Sequence, residues 1–391
     1  MRKILFMHQA SSVGGGSYCL LNILKVIDRT CWEPVVCLLD DGSLRLEVEK
    51  LGIRVVFFKE MRCIPYNHSL LKKSSLETYY KIYRSIPAFK RILRENKIDV
   101  VYLNNMMLYR YLRPAKEVGC KTIMHVREHW PEGENQKQLK WAQKAAKRYS
   151  DKLIAINHYS ASMFSDSLDK MTIVYDWIDL SGRYEKVDMN KIFNEDTSKL
   201  KIYLYTGGMQ KIKGAYEVVK TFSETRKRDD ERLLFMGYDM NNPVGGRKGQ
   251  IKRLLYKLGF DINELKVRSV IERDNRIKCI PATYKIVDYI KQSYCVLSFF
   301  TIPHANLALA ESIIIGTPVI ACRTEESIEY SNNGLLASLY TINSICEFAK
   351  AIEEFDSETA KRAIENGKQE VEKLFMPERN IRVLNKVINS I

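Results

Sequence analysis

Short apolar runs recur along the chain, and helical stretches separate most of them. In the first part of the chain they are Ile4–Met7, Val35–Leu39, Val55–Phe58, Val100–Leu103, Thr122–Met124, Leu153–Ile156 and Thr172–Tyr175. A second series comprises Lys201–Tyr205, Leu233–Met236, Lys278–Ile280, Cys295–Phe300 and Pro318–Cys322. Strands that are apolar throughout are buried on both faces, and their alternation with helices is typical of parallel sheets. The sequence therefore predicts an α/β protein whose parallel strands are covered by helices on both sides.

The two series of strands predict two domains. A chain of 391 residues exceeds the length that one hydrophobic core usually serves. The polar segment Asp176–Lys199 between the series has no clean period, which suits a linker. The nine cysteines are scattered without a CxxC pair, and no apolar run resembles a signal peptide or a membrane helix. We therefore expect a cytoplasmic protein, with any membrane contact peripheral.

The net charge of +15 indicates an anionic partner or a generally lysine-rich surface. In Ser69–Lys97, aromatic and aliphatic residues alternate with basic ones, and Lys137–Lys152 is a second basic stretch. Such a composition suits an anionic membrane surface. It equally suits two ordinary covering helices that break near Pro87. Neither stretch carries a recognisable nucleic-acid module, so nucleic acid is not an expected partner.

One glycine-rich turn follows the first strand of each series. Gly14–Gly16 opens a helix, so its N–H groups can face an anionic ligand. A dinucleotide fingerprint competes here, but Cys19 occupies the place of its third glycine. In the second turn, Gly207 and Gly208 precede Lys211 and Lys213, and backbone donors beside a lysine suit a diphosphate. The spacing is not that of a Walker A loop.

The stretch Leu297–Leu336 predicts a strand, a loop, a helix over Leu307–Ile315 and a second strand. Gly316 suits the helix C-cap, and Pro318 prevents the helix from continuing. A helix N-terminus favours an anion, while Glu311 can reach a neutral hydroxyl-bearing part of the same ligand. A sugar nucleotide has both parts.

Polar side chains follow three predicted strands of the first series. Asn104 and Asn105 follow one of them, and the segment HVREH supplies His125, Arg127, Glu128 and His129 after the next, with His8 near the first strand. Ligands of parallel sheets bind beyond the carboxyl ends of the strands. These residues are therefore candidates for a site.

Taken together, these segments resemble retaining glycosyltransferases of family 4, which have the GT-B fold. The resemblance covers nearly the whole chain. Gly14–Gly16 is similar to the family's GG-A-E-x-x-L loop, and Gly207 with Lys213-Gly214 matches G-R-x(4)-K-G. Glu311 falls on the second glutamate of E-x(7)-E, and Gly316–Ala321 resembles the G-x-P-V-I-A that follows. The segments VVYLNN, MHVREHW, KLIAINHYSASMF and TIVYDWIDL also resemble family segments.

The resemblance implies two Rossmann-like, doubly wound parallel-sheet domains that face each other across a cleft. Residues 1–180 would form an acceptor-binding domain, 181–200 a linker, 201–374 the nucleotide-sugar-binding domain, and 375–391 a helix crossing back to the first domain. The implied catalytic residues are His125, Arg127, Glu128 and Lys213. The implied donor-binding residues are Gly15, Gly16, Gly207, Gly208, Lys211, Lys213, His304, Asn306, Leu307 and Glu311. The implied acceptor-binding residues are Asn104, Asn105 and His129.

The chain departs from the family where the donor sugar would lie. Pro303 stands in place of the first glutamate of E-x(7)-E, and His304, Ala305 and Asn306 replace G-F-G. Gly208 replaces the phosphate-binding arginine, with Lys211 close by. The resemblance therefore implies that ribose and diphosphate recognition are mostly kept, while sugar recognition is altered.

The implied function is transfer of a hexosyl group from a UDP- or GDP-linked sugar, without metal or cofactor, to a glycan or lipid-linked acceptor. Capsule, O-antigen or exopolysaccharide synthesis at the inner face of the membrane is the expected setting. Three alternatives stay open: a GT-B sugar-nucleotide epimerase, a catalytically altered homologue acting as a partner or scaffold, and an NAD oxidoreductase.

Overall fold

The computed structural model describes residues 1–12, 14–63, 73–130, 135–178, 180, 184–225, 228–240, 251, 254–256, 258, 261–283 and 285–391. The chain forms two compact units. Met1–Trp177 and Met376–Ile391 make up the first unit, and Ile178–Phe375 makes up the second.

The first unit is built on a seven-stranded sheet in which every pairing is parallel. Its strands are β1 (Arg2–His8), β2 (Trp32–Leu38), β3 (Arg54–Phe57), β4 (Val100–Leu103), β5 (Lys121–Val126), β6 (Lys152–Ala155) and β7 (Met171–Ile173). The spatial order is β3-β2-β1-β4-β5-β6-β7. This order reverses direction between β1 and β4, which is where doubly wound sheets bind ligands.

Helices cover both faces of this sheet. The helices with described bounds are α1 (Gly15–Val26), α2 (Ser43–Lys50), α3 (Lys73–Glu95), α4 (Leu112–Val118), α5 (Gln136–Tyr149) and α6 (His158–Ser162), with 3-10 turns at Met106–Tyr111 and Ser165–Lys170. Side chains of α3, α4 and α5 join one buried apolar cluster. Those of α1, α2 and the last helix of the chain join the other.

The second unit repeats this plan with six parallel strands. They are β8 (Lys201–Tyr205), β9 (Glu231–Met236), β10 (Ile277–Ile280), β11 (Cys295–Ser298), β12 (Val319–Arg323) and β13 (Ser338–Thr341), in the order β10-β9-β8-β11-β12-β13. The helices with described bounds are α7 (Met189–Phe193), α8 (Ala215–Thr225), α9 (Asn263–Arg273), α10 (Ile286–Ile290), α11 (Leu307–Ile315), α12 (Glu325–Tyr330), α13 (Ile345–Glu353) and α14 (Ser357–Phe375), with a 3-10 turn at Lys211–Lys213. The switch point lies between β8 and β11.

The last helix, α15 (Pro377–Asn389), belongs to the first unit although it ends the chain. Its buried Leu384 and Ile388 lie in the apolar cluster beside α1. Polar contacts also anchor it: the Trp32 indole donates to Asn389 Oδ1 at 2.7 Å, the Tyr175 amide donates to Asn380 Oδ1 at 3.1 Å, and Asn385 Nδ2 donates to the Val26 carbonyl at 3.1 Å. The first unit is thus completed by the end of the sequence.

Each predicted apolar run coincides with or overlaps a strand. The predicted break near Pro87 is wrong, because α3 continues through it. Pro87 lies on an exposed position, so the backbone carbonyl that loses its helical hydrogen bond can be hydrated. Leu70, Leu71 and Lys72 lie outside the described residues. The segment Asp176–Lys199, which suggested an irregular linker, contains the short helix α7 with Met189 and Phe193 buried.

Candidate active site

The turn after β8 is held in a shape that favours glycine at two points. Gly208 and Gly214 have φ angles of +61° and +66°. A Cβ on Gly214 would lie 2.2 Å from Phe299 Cδ1, and one on Gly207 would lie 2.2 Å from the Tyr205 hydroxyl. That hydroxyl donates to the Lys213 carbonyl at 2.9 Å. The turn is therefore packed tightly against its own strand and against the segment that follows β11.

Lys213 is placed to meet an anion. Its side chain is half-buried, and burial lowers the pKa of its amine. Among the described residues, its ammonium has no carboxylate partner. Lys211 is different, since its Nζ lies 3.0 Å from Asp261 Oδ2 at the exposed surface. Of the two predicted phosphate ligands, the structure thus leaves Lys213 available and pairs Lys211 with a carboxylate.

The segment after β11 lies beside this turn and leads into α11. The Thr301 amide donates to the Ile212 carbonyl at 3.0 Å, which joins the two loops. Asn306 caps α11 through its side-chain oxygen, which accepts from the Leu309 backbone amide at 3.3 Å. The backbone amide of Asn306 donates to Glu326 Oε1 at 2.9 Å. Leu307 is the first residue of α11, and the His304 ring lies 5.6 Å from that of Phe300.

Glu311, in the second turn of α11, is a buried carboxylate. Its exposed fraction is 5%, and it has no hydrogen-bond or ion-pair partner in the part of the chain that the structure describes. Burial raises the pKa of Glu311 to about 7. A ligand hydroxyl that donated to Glu311 would relieve this cost. A helix cap, an available ammonium and an unpaired carboxylate thus lie around one end of the second sheet.

In the first unit, His8, Asn104 and Arg127 form a connected buried network beyond β1, β4 and β5. The Asn104 amide lies 3.1 Å from His8 Nδ1, and Arg127 Nε donates to Asn104 Oδ1 at 3.1 Å. His8 Nε2 lies 3.1 Å from Ser17 Oγ in α1. Burial, assisted by the Arg127 charge, lowers the pKa of His8 to about 4, so its ring is neutral at pH 7.

Arg127 is anchored by Asp176, a residue that the sequence did not single out. Arg127 Nη1 donates to both Asp176 carboxylate oxygens at 2.6 Å. Burial opposes the charge on Arg127, but the Asp176 carboxylate raises its pKa overall. Its Nη2 is buried and has no hydrogen-bond partner among the described residues. The available signal was the position of Asp176 within TIVYDWIDL, one of the segments that resemble the family.

His125 lies on β5 with one nitrogen engaged. Its Nδ1 lies 2.6 Å from the Tyr102 hydroxyl, while its buried Nε2 has no partner among the described residues. Burial, with a smaller contribution from Arg127, holds the pKa of His125 well below its usual value. We therefore expect a neutral imidazole, whose Nε2 can donate or accept one hydrogen bond. The sequence did not identify Tyr102 as its partner.

Glu128 and the predicted acceptor residues are mostly internal. Glu128 Oε2 accepts from the amides of Met106 at 3.0 Å and Arg127 at 3.1 Å, while burial raises the pKa of Glu128 to about 7. Asn105 donates to Gln9, and His129 Nε2 lies 3.3 Å from Asn157 Nδ2. Both side chains are buried. The structure thus places these residues within the fold behind the strand ends.

Gly15 and Gly16, by contrast, are exposed at the start of α1. An added Cβ on Gly15 would meet nothing within 4 Å, and one on Gly16 would come only to 3.6 Å from the His8 ring. The open space at this helix N-terminus leaves room for a ligand. Among the described residues, no cluster of three His, Cys, Asp or Glu side chains has a metal-binding arrangement.

No protein-family sequence profile matches the chain, and the curated proteins compared with it include no match. Solved structures do match. Anabaena HepE, in complex with UDP and glucose, is 17% identical, with 100% of each chain covered and a TM-score of 0.74. A glycosyltransferase from Rickettsia africae is 16% identical, with 100% of this chain and 99% of that one covered and a TM-score of 0.68.

A Listeria monocytogenes protein assigned as a UDP-N-acetylglucosamine 2-epimerase also matches, at 11% identity and a TM-score of 0.61, with 100% of this chain and 97% of that one covered. These likenesses span the whole chain and include both parallel sheets. They confirm the predicted fold class. The matched proteins are named as different kinds of protein, because one fold can serve several functions. The chain has the GT-B fold, with two Rossmann-like, doubly wound domains.

Proposed function

We propose that the protein is a glycosyltransferase that uses a nucleotide-diphospho-sugar as donor. The observation that carries this proposal is the pair of unsatisfied charges in the second unit. Lys213 offers an ammonium without a carboxylate partner, and Glu311 offers a buried carboxylate without a donor, both among the described residues. A diphosphate and a ribose would satisfy them respectively. The UDP in the HepE structure supports UDP as the nucleotide.

The reaction we propose breaks the bond between the anomeric carbon and the diphosphate oxygen. The acceptor hydroxyl oxygen forms the new bond, with retention, and its proton passes to the departing diphosphate. Lys213 and the turn amides stabilise the charge that develops on that diphosphate, which is the main electrostatic task of such a step. In the first unit, the buried side chain of His125 and the Arg127 network hold the segment HVREH in position.

The finer assignment rests on the sequence resemblance. It comprises membership in family 4 and a glycan or lipid-linked acceptor in bacterial surface-polysaccharide synthesis at the inner face of the membrane. Gly15 and Gly16 would contribute amides to the donor, and the loop from Pro303 to Asn306 would select the sugar. Asn104, Asn105 and His129 would act on the acceptor through the shape of the first unit, because their side chains are buried.

Calorimetric titration with UDP-sugars tests the proposal. We expect wild type to bind at least one of them, and Glu311→Ala to weaken binding by roughly tenfold or more, since a hydrogen bond to a charged group is lost. Glu353→Ala removes an exposed carboxylate of the same unit and should bind as wild type does. If wild type binds no nucleotide sugar from a UDP and GDP panel, the proposal fails.

A sugar-nucleotide epimerase is the second candidate, favoured by the structural match to the Listeria protein. Such an enzyme would bind the same donor and change its sugar without an acceptor. Chromatography of the donor after incubation with enzyme alone separates the two functions. A new sugar nucleotide would indicate the epimerase, whereas a transferase would leave the sugar unchanged until an acceptor is added.

A further inference from the structure

One face of the first unit, formed by α3, α4 and α5, carries a large open cavity. Its volume is about 740 Å³. A second cavity of about 560 Å³ continues along α3. The described residues that line these cavities include none of the network around Arg127. We call this surface, between Leu76 on α3 and Arg148 on α5, the basic aromatic face.

The cavity walls are strongly cationic. Among the described residues that line the larger cavity, the acidic side chain is Glu117, and the basic ones are Lys90, Arg110, Arg113, Lys144 and Arg148. Glu117 pairs with Arg113 at 2.7 Å and with Lys90. The smaller cavity adds Arg84 and Arg91. The excess of positive charge favours an anionic occupant.

Large apolar side chains stand exposed beside these cations. On α3, Leu76, Tyr80 and Tyr83 are 60%, 62% and 71% exposed, and their spacing places them on one side of the helix. On α5, Trp141 is 42% exposed. Keeping four large apolar side chains in water next to one another is unfavourable unless something covers them.

Arg110 ties the walls of the cavity together. Its guanidinium carbon lies 5.0 Å from the ring centres of Tyr79 and Tyr109 and 5.1 Å from that of Trp141. In the part of the chain that the structure describes, Arg110 has no carboxylate partner. Stacking on three rings fixes the guanidinium in place while leaving its charge uncompensated. The surface is thus preformed.

We propose that the basic aromatic face docks the protein onto an anionic lipid bilayer. Lys and Arg side chains contact headgroup phosphates, while Leu76, Tyr80, Tyr83 and Trp141 enter the interfacial layer, where aromatic and aliphatic groups are favoured. The exposed side chains of Leu76, Tyr80 and Tyr83 on α3 favour a bilayer over an acidic glycan, because a glycan would need to contact only the cavity. No helix among the described residues has the length and apolar character to cross a membrane, and docking needs none.

Vesicle cosedimentation of the full chain tests this proposal. Vesicles of phosphatidylcholine are compared with vesicles in which phosphatidylglycerol replaces about a third of the lipid. We expect binding to the anionic vesicles only, and weaker binding at high salt because the charges are screened. Arg84→Gln combined with Lys144→Gln should weaken binding by roughly 25-fold, about fivefold for each charge near the surface. Tyr80→Ser combined with Tyr83→Ser should weaken it roughly tenfold at low and high salt alike.

Matched controls lie in the second unit. Lys186→Gln with Lys199→Gln removes the same number of exposed charges, and Leu335→Ser removes an apolar side chain that is 69% exposed. Both controls should bind as wild type does. Equal binding to neutral and anionic vesicles, or unchanged binding by the Arg84 and Lys144 variant, would overturn the proposal.

Retention on immobilised polygalacturonate without vesicle binding would also overturn the proposal, and would assign the face to an acidic glycan. No nucleotide sugar is present in these assays. The proposed transferase activity and the proposed membrane docking can therefore fail independently of each other.

Discussion

At the scale of single residues, the candidate donor site contains charges that the folded protein does not satisfy by itself. Burial raises the pKa of Glu311 to about 7 and lowers the pKa of Lys213. Each shift means that burying the charged form costs free energy of folding. Groups that carry such a cost are frequent at binding sites, where the ligand supplies the missing partner.

This cost gives a stability prediction for Glu311→Gln. The pKa of Glu311 is higher in the folded state than its ordinary value of 4.5, so the unfavourable charge appears as the pH rises towards and above 7. We therefore expect Glu311→Gln to increase the free energy of unfolding, by on the order of 2 kcal/mol more at pH 8 than at pH 5. Urea unfolding at the two pH values measures this difference.

The same variant should lose the stabilisation that a nucleotide sugar gives to wild type, because the glutamine amide is uncharged. A matched comparison is Glu353→Gln, which changes an exposed carboxylate and should alter neither quantity. A stability gain for Glu311→Gln that does not depend on pH would contradict the burial argument.

The sequence predicted polar segments beyond the strands, but it did not predict the partners of their side chains. HVREH was identified as a candidate because it follows an apolar strand. The pairing of Arg127 with Asp176 and of His125 with Tyr102 was not foreseen, since these partners come together only through the tertiary fold. For the same reason the sequence could not indicate that His129 is buried against Asn157.

At the scale of elements, apolar runs predicted every strand but one. β13 was missed because only one of its four residues is buried, so it lacks a continuous apolar run. The bounds of α11 were predicted correctly, and Gly316 does adopt a left-handed C-cap with φ of +93°. Here the signals are local, as a cap glycine and a following proline act on the backbone directly. Pro87 led to the wrong prediction of a break in α3, because the exposure of this position to solvent depends on the tertiary structure.

The turn after β8 gives an element-scale prediction. Gly214→Ala should destabilise the second unit, because its Cβ would overlap Phe299 and its φ of +66° is unfavourable for alanine. Gly52→Ala is the matched control, with φ of +68° and nothing within 4 Å of the added Cβ. Backbone strain alone costs about 1–2 kcal/mol, and overpacking adds about 1–3 kcal/mol. Chemical unfolding should therefore show the larger loss for Gly214→Ala. Equal losses of stability in the two variants would mean that the Phe299 side chain moves aside at no cost in free energy.

At the scale of the whole molecule, the fold is matched by structures that are less than a fifth identical to this chain. What the chains share is the fold, which in this chain consists of two parallel sheets buried on both faces. Those properties depend on hydrophobic pattern and connection handedness, which many sequences satisfy. Sequence pattern therefore predicts such a fold well, while the sugar and the acceptor of the proposed transferase would depend on a few side chains that pattern does not determine.

Removal of residues 377–391 is predicted to destabilise the first unit selectively. The deletion takes Leu384, Val387 and Ile388 out of the cluster beside α1, and Trp32 loses its bond to Asn389. Loss of large buried aliphatic side chains costs about 2–5 kcal/mol each. Limited proteolysis followed by mass spectrometry should show early cleavage between residues 1 and 177 in the deletion variant. Early cleavage confined to the second unit would contradict the assignment of α15.

The position of α15 also has a consequence for synthesis on the ribosome. Domains generally fold in the order in which they are translated, beginning from the N-terminus. Here most of the first unit precedes the second unit in the sequence, yet the helix that closes its apolar cluster follows the second unit. Until α15 has been made and has packed beside α1, the first unit has one sheet face partly uncovered. A chaperone would bind this exposed apolar face.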